Sequence, residues 1–155
     1  MIPEPVHWTS TTQPSVNKMK ERLGANAVVW PAQNYRPMYA LMIAGNEWIT
    51  AHPELMKRFL KALAEAEGYV LRNPAEAKAI VRKRQNLDAA YMETIWSQNQ
   101  YGLTLDMSLI TAMEDEARWM IKNNLTGERQ VPNFLDYIHE DALKAVKPEA
   151  VNIIR

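Results

Sequence analysis

Cysteine is absent from the 155 residues. This excludes disulfides, thiolate nucleophiles and thiolate metal sites, and it suits a reduced cytosol and a periplasm equally. An excess of either charge is also absent: 18 Lys and Arg balance 18 Asp and Glu. No long-range field therefore steers the chain onto polyanions or membrane surfaces, and nucleic acid is not an expected partner. No window approaches the ~18 apolar residues of a membrane helix. Met1-Ile2-Pro3-Glu4-Pro5 has neither the basic nor the apolar region of an export signal. The chain holds no P-loop, G-x-G-x-x-G, G-x-S-x-G or H-E-x-x-H, so the common enzyme signatures are missing and no cofactor is expected.

The length suits one domain, and 47% hydrophobic residues supply ample core material. Three prolines (Pro3, Pro5, Pro14) and a Thr/Ser cluster at 9–12 predict an irregular entry. Val16, Met19 and Leu23 recur at helical spacing, and Gly24 follows where a helix end requires positive φ. Residues 27–30 (Ala-Val-Val-Trp) and 38–43 (Met-Tyr-Ala-Leu-Met-Ile) read as buried strands joined by the connector 33–37.

Pro53 and Pro74 each precede an Ala/Glu/Lys/Leu-rich stretch, which predicts helices with proline in the first turn. In the first helix Leu55, Met56, Phe59, Leu60, Leu63, Ala66 and Val70 form one stripe, with Phe59 and Leu63 expected in the core. Asp88 and Asp106 are placed to cap two further helices. Residues 100–105 read as a short strand or an extended linker. A last short helix is expected around 141–146, ended by Pro148. The fold class is helix-rich α/β, with about six helices and two or three strands.

His7, His52 and His139 lack metal-ligand spacing, so no metal site is expected. Glu114, Asp115 and Glu116 point about 100° apart on a helix. They read as a solvated face partnered by Arg118 rather than a catalytic carboxylate pair. Of the five tryptophans, Trp96 and Trp119 fall at core spacing, whereas Trp8 and Trp30 sit beside loops and suit a pocket or a core equally. Arg36, between Tyr35 and Pro37, reads either as a surface cation or as a clamp for an anion.

The order of pieces is distinctive: Gln13-Pro14 before a helix ending Arg22-Leu23-Gly24, the two short apolar runs, then residues 51–81, 102–123 and 133–155. From about residue 12 onward this succession resembles the C-terminal portion of ABC-transporter solute-binding proteins for nitrate, sulfonates, taurine and thiamine precursors. The resemblance implies part of a type II periplasmic binding fold, with two α/β lobes closing on a ligand presented to a membrane permease. In that scheme residues 1–37 are the end of the second lobe and the connector, and 38–155 are the crossover strand and C-terminal helices of the first lobe.

It further implies a non-enzymatic, periplasmic protein for a small anionic or organosulfur/nitrogen solute, with Thr12, Gln13, Arg36 and Tyr39 toward the cleft. Relatives are about twice as long. The expected partners are thus a small ligand, the permease, and either a missing N-terminal half or a second copy. Two other readings stand beside it. One is an independent helical interaction module; the other is a protein like the pyrimidine synthases of thiamine biosynthesis, whose cysteine-rich motif a cysteine-free chain does not supply.

Overall fold

The computed structural model describes residue 9, residues 15–30 and residues 38–155. It divides into two units, Met1–Asn34 with Ala75–Gln100, and Tyr35–Pro74 with Tyr101–Arg155.

In the first unit, α1 (Ser15–Leu23) stops at Gly24, whose φ of 55° is the left-handed conformation that only glycine adopts without a Cβ penalty. Helices α4 (Pro74–Arg84) and α5 (Ala89–Trp96) follow. Pro74 opens α4, where its missing N–H costs no hydrogen bond. Asp88 caps α5 as its position predicts, accepting from the amides of Ala90 and Tyr91 at 2.8 and 3.1 Å. Lys78 on α4 donates to Glu93 on α5 at 2.7 Å, and Ala77 and Met92 are buried.

The second unit holds α2 (Asn46–Ala51), α3 (Pro53–Arg72), α6 (Met107–Lys122) and α7 (Asp141–Val146). Single 3₁₀ turns occur at Phe134–Tyr137 and Pro148–Ala150. Two-residue strands β1 (Leu105–Asp106) and β2 (Val151–Asn152) pair in parallel, Leu105 opposite Val151 and Asp106 opposite Asn152. Pro53 occupies the first turn of α3 as expected. The core is small: Leu109 and Ile110 from α6, Leu143 from α7, and Ala150. Helix α3 packs on α7.

Two helices end on asparagine. Asn86 (φ 49°) and Asn124 (φ 56°) take the left-handed position, and the amides of Leu87 and Leu125 reach back to the Arg82 and Met120 carbonyls. This satisfies carbonyls that the helix itself leaves open.

Several sequence expectations are overturned. Residues 27–30 and 38–43 form no strand, and Val28, Val29, Trp30, Met38, Leu41, Met42 and Ile43 are exposed. A strand exists only by pairing, and among the described residues β1 and β2 pair with each other alone. Apolar composition therefore had no neighbour to act on. Phe59 is 38% exposed and Leu63 only half-buried. The six-residue α7 is too short to cover the stripe of the 20-residue α3. Trp119 is exposed rather than core; it lies nine residues from Ile110, about 180° around α6 from that buried position. Trp96 is half-buried. Among the described residues there are seven α-helices and two strands, the strands formed by other residues than those expected.

Candidate functional site

Of the four residues assigned to the cleft by resemblance, Thr12, Gln13 and Arg36 lie outside the described residues. Tyr39 is half-buried, and its hydroxyl lies 2.6 Å from Ser108 Oγ at the first turn of α6. The local sequence Thr104-Leu105-Asp106-Met107-Ser108 builds the other side. Asp106 caps α6, accepting from the Ser108 amide at 2.8 Å and from Ser108 Oγ at 2.5 Å, while its second oxygen accepts from Thr104 Oγ1 at 2.8 Å. These bonds hold the Asp106 carboxyl below its ordinary range, the Ser108 hydroxyl contributing most and the Thr104 hydroxyl next.

Proton counting orders this chain. An ionised Asp106 only accepts, so Ser108 spends its single hydroxyl proton on Asp106. Tyr39 must then be the donor to Ser108. The Tyr39 oxygen keeps lone pairs and no proton, so it accepts from an N–H or ammonium group. Donation to an oxyanion requires the Ser108 bond to break first.

Two supports position this cluster. The β1–β2 pairing fixes Leu105 and Asp106. Immediately upstream, Glu67 on α3 accepts from the Leu103 amide at 3.2 Å and from Lys147 through both carboxylate oxygens at 2.7 Å; Lys147 also donates to the Leu103 carbonyl at 3.3 Å. Burial pushes the Glu67 carboxyl up, but the Lys147 hydrogen bond, the Leu103 amide and the Lys147 charge together bring it below its usual value.

The asparagine and aspartate caps carry local sequence signals, but Glu67 and Lys147 are 80 residues apart and no pattern announces their pairing. His52 and His139 are engaged by Trp48 and Asn46. Among the described residues, no group of acidic or histidine side chains is placed to hold a metal. A second concavity, between α4 and α5, has about 180 Å³ and is rimmed by the Lys78–Glu93 pair. It is too small and open to bury a ligand as binding pockets do.

Comparison with known proteins adds one observation. Residues 6–77 match the family model described as NMT1/THI5 like. This span, just under half of the chain, fits the nitrate, sulfonate, taurine and thiamine-precursor binding family that the sequence resembles. It includes Thr12, Gln13, Arg36 and Tyr39 as well as helices α1 to α3, and it stops short of Asp106, Ser108 and Lys147. No curated protein and no solved structure matches the chain.

Proposed function

We propose that this chain is the C-terminal portion of a solute-binding component of an ABC importer, acting by capture and not by catalysis. The observation that carries the reading is the match of residues 6–77 to the NMT1/THI5-like model, a span that holds all four residues the resemblance sends to the cleft. The ligand is a small anionic or organosulfur/nitrogen solute, the second partner is a membrane permease, and the setting is the periplasm. A further segment supplies the other wall of the cleft. The absence of cysteine speaks against the pyrimidine-synthase alternative.

Tyr39 refines the ligand class. With its proton committed to Ser108, it favours solutes that combine an acidic group with an ammonium or ring N–H, as taurine and aminopyrimidines do, over a bare oxyanion such as nitrate. Calorimetric titration of the chain joined to the segment that completes the cleft should rank taurine or an aminopyrimidine above nitrate. The opposite order removes the role given to Tyr39, and saturable binding of none of them removes the solute-binding reading.

A further inference from the structure

Residues 38–44 combine three properties that rarely coincide. Their side chains are apolar and open to solvent, with Met38 81%, Leu41 49%, Met42 72% and Ile43 88% exposed. Their backbone amides and carbonyls make no backbone hydrogen bond to any described residue. The stretch 37–46 contains no charged residue, and after Pro37 nothing breaks a strand before Gly45. Unpaired main chain beside uncharged, β-compatible side chains is the composition of an edge that pairs with another chain. Tyr39, bonded to Ser108, ties the segment to the start of α6 and leaves Leu41 to Ile43 outward.

We infer that residues 38–44 form a strand by antiparallel pairing with the same segment of a second copy of this chain. Pairing about a two-fold axis at Leu41 places Tyr39 opposite the second copy's Ile43 and Ala40 opposite its Met42. Every cross-strand pair is then apolar and no like charges meet. The chain carries no net charge, so two copies approach without repulsion.

Size sets the strength. The four exposed side chains offer on the order of 300 Å² of apolar surface per copy. The roughly 600 Å² total, with about six main-chain hydrogen bonds, is the scale of a weak, reversible association.

Sedimentation velocity of the full chain without ligand, over a wide concentration range, tests this independently of any solute. The particle mass should rise reversibly from 17.8 kDa to twice that value, and hydrogen exchange should show the amides of 39–43 protected only in the dimer. Leu41→Pro, which removes a donor and disfavours a strand, and Met42→Lys, which adds a charge, should both remain at 17.8 kDa with unchanged helical circular dichroism. A monomer at every concentration overturns the inference, as does a dimer that survives both substitutions. Protection of these amides only after adding a separate N-terminal segment or anionic lipid vesicles would make the second copy the wrong occupant.

Discussion

Lys147, one residue beyond the end of α7, grips both carboxylate oxygens of Glu67 in the middle of α3, at 2.7 Å each. The same ammonium donates to the Leu103 carbonyl while Glu67 receives the Leu103 amide. Three segments far apart in sequence are thereby fastened at the point where the chain enters β1. With Glu67 only 17% exposed, the pair is shielded from the screening that makes surface ion pairs weak.

Removing one member leaves the other charge half-buried without its partner. Lys147→Ala should therefore lower stability by about 1.5–3 kcal/mol, measured by urea denaturation. Lys147→Met, which keeps the stem and loses the charge, should cost nearly as much. A loss confined to the alanine variant would show that the aliphatic stem, not the ion pair, matters.

The lowered Glu67 carboxyl sets an acid dependence. Because its folded value lies below its unfolded value, its contribution is complete above the ordinary glutamate range and is lost as pH falls through the folded value. Denaturation midpoints should fall on acidification, and Glu67→Gln should flatten part of that slope. An identical slope in the variant would assign the acid sensitivity to other carboxylates.

Asp106 has two tasks, capping α6 and setting the direction of the Tyr39–Ser108 hydrogen bond. Asp106→Ala should cost about 0.5–2 kcal/mol, whereas Asp106→Asn, which caps equally well, should cost less. The Asn variant removes the permanent acceptor, freeing the Ser108 proton to turn toward Tyr39. It should therefore shift the Tyr39 ring resonances with the fold intact. Unchanged Tyr39 resonances would contradict the proton order deduced here.

Core positions were partly legible in the sequence. The proline starts of α3 and α4, the Asp88 and Asp106 caps, the stop at Gly24, the short helix α7 and the Arg118 partners of Glu114 and Asp115 all come from local chemistry and stand in the structure. What failed depends on partners distant in sequence. Residues 27–30 and 38–43 have strand composition but no pairing neighbour, and the α3 stripe is longer than the surface α7 offers it. Within the candidate site the Asp106 cap was visible, but its link to Tyr39 spans 69 residues and has no sequence pattern.

The same contrast yields a stability test. Leu109→Ala removes a buried side chain and should cost about 2–5 kcal/mol, whereas Phe59→Ala, at a site already open to water, should fall well short of the ~3–5 kcal/mol of a buried phenylalanine. Equal losses would place Phe59 back in the core.

The central claim is that this chain holds part of a solute cleft and needs a further segment to close it. Calorimetric titration with taurine, nitrate and short alkanesulfonates, run on the isolated chain and on the chain joined to the segment supplying the other wall, tests it most directly. The account predicts no saturable heat from the isolated chain, saturable binding from the completed one, and about 3- to 10-fold weaker binding in its Tyr39→Phe variant, the loss of one hydrogen bond. Saturable micromolar binding by the isolated monomer, or no binding by the completed protein, would contradict it.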